Sequence, residues 1–119
     1  MAENTTRTVT LNASQANGQN AVGKVVYDST SITAADYTEI DVGFKPSYVE
    51  FVNATDRITV QFYEGMTADT SIKTAATGAR TLETTNQGIT LTDTGFRVAQ
   101  NATLAVIAAS KTCYFRAQA

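Results

Sequence analysis

The feature that most narrows the fold is a strict two-residue alternation in two runs, 47–52 and 58–63. In the first, Val49 and Phe51 share one face while Tyr48 and Glu50 share the other. In the second, Ile58, Val60 and Phe62 oppose Thr59, Gln61 and Tyr63. Successive side chains of a strand point to opposite faces, so each run reads as a strand with one apolar face. The connection between them, Asn53-Ala54-Thr55-Asp56-Arg57, suits a hairpin loop. Asn and Asp side chains hydrogen-bond nearby backbone and tolerate left-handed conformations. Its expected role is to hold two strands in register, not to carry chemistry.

The same punctuation runs through the rest of the chain from Val22 onward. Short β-branched or aromatic runs are broken by Gly, Asn and Asp clusters, and helical periodicity is nowhere sustained. Further strands are expected at 23–27, 37–42, 71–76, 88–92, 95–99, 104–108 and 112–117, with one helical turn at 31–36. Residues 88–99 read as another hairpin turning at Thr92-Asp93-Thr94-Gly95. Gly43, Gly65, Gly78, Gly88 and Gly95 fall at breaks, and Pro46 precedes a strand, where its missing N–H does least damage to a ladder. The expected fold is all-β, a single compact β-sandwich or β-barrel. At 119 residues the chain suffices for one domain burying roughly two-thirds of its unfolded surface.

Residues 1–20 are set apart as an extended N-terminal arm on a β domain of 21–119. They are dominated by Thr, Asn, Gln and Ser, with Val9 and Leu11 the large aliphatics after Met1. Such a segment buries too little apolar surface to offset its own ordering entropy. It is therefore expected to be either a mobile tail or docked in extended form on a partner. Thr8, Val9, Thr10 and Leu11 are the candidate contacts, suited to adding a strand to an exposed edge.

The chemistry of the chain points away from catalysis. Histidine is absent, which removes the usual general base and the commonest metal ligand. Cys113, within the alternating run Thr112-Cys113-Tyr114-Phe115-Arg116-Ala117, reads as a small buried apolar group, and a single cysteine forms no internal disulfide. Glu64, Asp69, Glu83 and Asp93 lie in or near loops but match no calcium-loop or other catalytic spacing. No enzyme activity, metal or cofactor is expected. Nine Lys and Arg against eleven Asp and Glu disfavour direct nucleic-acid binding. No apolar run approaches the roughly 18 to 20 residues of a membrane span, and no leader pattern is evident. Four Asn-x-Ser/Thr triplets, beginning at Asn4, Asn12, Asn53 and Asn101, are read as accidental in so Asn- and Thr-rich a chain. Tyr48, Tyr63, Tyr114 and Arg116 are placed on outward faces as partner-binding candidates, being residue types enriched where proteins meet.

The order of motifs in 43–119 is familiar. G-F-x-P-x-Y-V at 43–49, T-D-R at 55–57, E-G-M at 64–66 and G-I-T…G-F at 88–96 together resemble small structural proteins of tailed-bacteriophage virions, similar to capsid decoration or cement proteins. The resemblance covers about two-thirds of the chain, and leaves out the first 20 residues. One departure is Phe62, where the equivalent strand commonly carries tryptophan. The resemblance implies no catalytic residues. It implies a protein of the outer capsid surface, assembled in the bacterial host cytoplasm, that stabilises contacts between major capsid subunits. The implied partners are the major capsid protein and the chain itself, as a homotrimer first and a dimer next, with no nucleic acid or membrane. The alternative is a tail, head-fibre or connector component that binds glycan through outward Tyr and Asp side chains. A third reading is a carbohydrate-active enzyme using two carboxylates.

Overall fold

Residues 7–15, 20–27, 37–84, 88–99 and 111–119 are described by the computed structural model of this chain. They form ten strands: β1 (Arg7–Gln15), β2 (Asn20–Tyr27), β3 (Tyr37–Asp41), β4 (Tyr48–Asn53), β5 (Ile58–Tyr63), β6 (Ser71–Thr74), β7 (Arg80–Glu83), β8 (Ile89–Leu91), β9 (Gly95–Ala99) and β10 (Thr112–Gln118). Seven build one antiparallel sheet in the order β1-β2-β10-β4-β5-β6-β7, and three build a second in the order β3-β9-β8. Of the two forms the sequence left open, the layout is that of a sandwich.

The alternation at 47–63 becomes the centre of the large sheet. Val49, Phe51, Val60 and Phe62 point inward and are buried, and β4 pairs β5 in register from Tyr48↔Tyr63 to Asn53↔Ile58. β10 adds Cys113, Phe115 and Ala117 to the same inner face, and β2 adds Ala21, Val25 and Tyr27. The small sheet supplies Ile40, Phe96, Val98 and Ile89 from the other side. Phe96 of β9 stands edge-on to Phe51 at 6.5 Å and to Phe115 at 5.7 Å, so one ring bridges both layers. Tyr27 of β2 and Thr38 of β3, both buried, satisfy each other through a 2.7 Å hydrogen bond across the layers.

The sheets also meet through backbone at one corner. The Asp69 N–H donates to the Ile89 carbonyl and the Ile89 N–H to the Thr70 carbonyl, both at 3.0 Å. The second hairpin turns as expected, the Thr92 N–H donating to the Gly95 carbonyl at 2.9 Å.

Two expectations differ from what is found. The arm was expected to lie apart from the domain, mobile or docked elsewhere. Arg7–Gln15 is extended, but it pairs along β2 of its own chain as the outermost strand of the large sheet, and Asn20 already belongs to β2. Backbone pairing to the β2 edge orders it, helped by Val9, which packs half-buried against the core. The strand expected at 71–76 stops at Thr74, where Ala75 and Gly78 close a turn, and the chain returns as β7, a strand not expected from sequence. The strand at 104–108 and the helical turn at 31–36 fall outside the described residues.

Candidate binding face

The loop that opened the sequence question is a clamp. Asn53 is buried at the end of β4, and its side-chain carbonyl accepts from the Asp56 N–H at 3.0 Å while its amide donates to the Asp56 carboxylate at 2.9 Å. The left-handed residue of this loop is Arg57, at φ 60°, directly after Asp56, and not the Asn or Asp for which that conformation was anticipated. The loop then reaches β10. Lys111 Nζ donates to Asp56 at 3.0 Å, the Thr112 N–H donates to Thr55 Oγ1 at 3.0 Å, and the Ala54 N–H donates to the Thr112 carbonyl at 3.0 Å. These contacts fix where β10 enters the sheet. Asn53, 1% exposed with its amide engaged, is no glycan acceptor in the folded chain.

The Lys111 ammonium holds the Asp56 carboxyl below its ordinary 3.8. A depressed folded value contributes stability above the unfolded value, and that contribution is lost as pH falls through the folded one. Asp56 is 40% exposed, so screening keeps the effect small. Asp56→Asn should lower the melting temperature slightly at neutral pH, and the gap to the unaltered protein should close as pH falls through and below the ordinary carboxyl value of 3.8. Thermal melts from neutral pH to below that value measure it, and a gap independent of pH contradicts the clamp.

The remaining candidates for chemistry lie at separate places in the chain. Cys113 is fully buried between Val25 and Asn53, and burial pushes its thiol up to about 12, leaving it protonated and apolar. Glu64 and Asp69 lie in the β5–β6 connection, Glu83 ends β7, and Asp93 sits in the β8–β9 turn. Among the described residues no three Cys, Asp or Glu side chains gather to hold a metal.

What does assemble is the outer face of the large sheet. In β10, Cys113, Phe115 and Ala117 turn inward, which turns Tyr114 and Arg116 outward. The ladder places Tyr114 beside Lys24 and Val52, and Arg116 beside Val22 and Glu50. Tyr48 and Tyr63 are opposite each other on β4 and β5, ring centroids 5.0 Å apart, and the Arg116 guanidinium lies 5.8 Å from the Tyr48 ring centre. Gln61 Nε2 donates to the Tyr48 hydroxyl at 3.0 Å, and that hydroxyl donates to Glu50 at 3.4 Å. Tyr48 is thus held in place, with little rotamer freedom left to lose on binding.

The face also holds apolar residues that sequence reasoning did not single out. Among the described residues, the exposed large apolar side chains are Val22, Val26, Tyr63, Leu82 and Tyr114, between 38% and 65% exposed. All five belong to this face: Val22 and Val26 alternate with Lys24 on β2, and Leu82 of β7 pairs with Ile72 of β6, which follows Gln61 of β5. The exposed large apolar side chains of the described residues thus share one surface. Tyr48, Tyr63, Tyr114 and Arg116 are therefore brought together. Of the other candidates, Thr8 and Thr10 stand beside Val26 and Lys24 in the ladder, at the margin of this face, Leu11 stands beside Gly23, and Val9 turns toward the core.

A smaller concavity of about 220 Å³ lies on the far side, lined by Tyr37, Asp69, Thr90, Arg97 and Ala99. Arg97 there lies 4.6 Å over the Tyr37 ring and donates to Glu39 at 2.7 Å. Comparison with known protein families, curated proteins and solved structures gives no match.

Proposed function

We propose that this chain is a structural binding module of a phage virion, a capsid decoration protein docked on the outside of the head through the outer face of its large sheet. The observation that carries the binding role is the gathering of all the exposed large apolar side chains of the described residues on that face, around a pre-set Tyr48–Tyr63–Arg116 cluster. Tyr and Arg are the residue types that dominate binding energy at protein interfaces. The virion setting comes from the motif resemblance in 43–96. In this reading the partners are the major capsid protein and further copies of the chain.

A second reading, a tail, head-fibre or connector component that binds glycan, is favoured by the Tyr37–Asp69–Arg97 concavity, since an aromatic ring flanked by polar groups suits a sugar. Copy number in purified particles separates the two. A decoration protein should be present in proportion to the major capsid subunits, whereas a tail or connector component is confined to one vertex. A count at the single-vertex level overturns decoration.

A further inference from the structure

Charge is unevenly divided over this molecule. The outer face of the large sheet carries Lys24, Arg80 and Arg116 against one carboxylate, Glu50. Among the other described side chains, seven carboxylates stand against five cations, Lys45, Arg57, Lys73, Arg97 and Lys111. The outward positions of the small sheet and its turn hold Glu39, Asp41 and Asp93 with Arg97. An acidic protein thus presents its most apolar surface on a locally cationic ground.

We infer that the outer face of the seven-stranded sheet docks onto an acidic protein surface with an apolar centre, leaving the carboxylate-bearing small sheet turned away. The inference rests on the shell-binding reading above and adds the chemistry of the partner and the orientation of docking. Size is adequate: seven strands about 4.8 Å apart and about 20 Å long make roughly 600 to 700 Å². A partner contributes roughly 800 Å² to a standard protein interface. Polarity excludes the simplest alternative, a second copy face to face, which would press one set of three cations against another. Like charges brought together in this way are strongly disfavoured at interfaces. Nucleic acid fits poorly too, because Glu50 stands on β4, the central strand, while the cations lie on β2, β10 and β7 around it. A phosphate backbone asks for clustered cations. An acidic protein surface meets Lys24 and Arg80 toward the two edges and Arg116 beside the centre, and leaves Tyr48, Tyr63 and Tyr114 to fill apolar recesses.

The test uses the full chain and phage heads assembled without it, with binding read by co-sedimentation at low and high salt. Lys24→Glu with Arg116→Glu should weaken binding about tenfold or more and remove its salt dependence. Lys24→Gln, which brings no new charge, should weaken it less, and Glu39→Gln with Asp41→Asn on the small sheet should leave it unchanged. Circular dichroism confirms that each variant folds. A parallel probe, retention of the unaltered chain on a carboxylate cation-exchange matrix at neutral pH, reads the polarity of the face without heads. Retention lost in the Lys24→Glu, Arg116→Glu variant supports the inference, and absence of retention overturns it. Heads bound equally by the charge-reversed variant overturn the inference and leave shell binding standing. Failure of the unaltered chain to bind heads, with retention intact, overturns shell binding alone. Preference for a single-stranded DNA oligomer over heads overturns the protein partner.

Discussion

Replacing Phe96 by alanine is expected to cost about 3 to 5 kcal/mol of folding stability, the range for deleting a buried aromatic ring. Phe96 is fully buried on the middle strand of the small sheet, and its ring meets Phe51 and Phe115 of the large sheet edge-on. Removing it takes away contacts in both layers and leaves a cavity between two rings. Collapse into that cavity is resisted, because each layer is held by its own backbone ladder and the corner bridge at Thr70 and Ile89 sets their separation. Phe51→Ala should fall in the same range, since Phe51 is the partner ring and equally buried. Urea unfolding monitored by circular dichroism measures both. A Phe96→Ala loss under about 1 kcal/mol means the ring does not bridge the layers.

The parts of this fold that sequence reveals are those where a local pattern and a burial face coincide. Strands β4, β5 and β10 show alternation because one face of each turns inside. β7 was missed for the opposite reason: Arg80, Thr81 and Leu82 are all exposed, so no buried face announces it, and it forms by returning along β6. β1 is similar. Its Thr- and Asn-rich composition argues against a core element, yet an edge strand needs backbone partners more than apolar side chains. The placement of β10 between β2 and β4 joins segments far apart in the chain and leaves no local trace.

The outer face of the large sheet was half legible. The alternation of β4, β5 and β10 places Tyr48, Tyr63, Tyr114 and Arg116 on it, as expected. Val22 and Val26 were not, because the inner face of β2 is built from Ala21, Gly23, Val25 and Tyr27. With small residues inside and valines outside, hydropathy does not say which face is which. Only the ladder, which sets Val22 beside Arg116 and Val26 beside Thr112, resolves it.

Gly88→Ala is expected to destabilise the protein by about 3 kcal/mol or more, for a reason of space. A Cβ at Gly88 would lie 2.1 Å from the Thr70 carbonyl carbon and oxygen and 2.3 Å from its nitrogen, all backbone atoms that cannot swing aside. The chain at Gly88 must therefore move away from Thr70. That motion pulls on the two bonds joining the sheets, from the Asp69 and Ile89 N–H groups, and on the bond from the Ala99 N–H to the Gly88 carbonyl. Overpacking costs about 1 to 3 kcal/mol, and each disturbed backbone hydrogen bond adds about 1. Gly65 provides the contrast. Its φ is +102°, but nothing lies within 4 Å of an added Cβ, so Gly65→Ala should cost only backbone strain, about 1 to 2 kcal/mol. Urea midpoints compare the two variants, and hydrogen exchange at the Ile89 amide reads the junction directly. The Ile89 amide should exchange faster in Gly88→Ala, beyond what the global loss of stability explains, and in Gly65→Ala it should track global stability alone. Equal losses in both variants, with Ile89 equally protected relative to global unfolding, would mean the close approach of β8 to Thr70 does not hold the two sheets together.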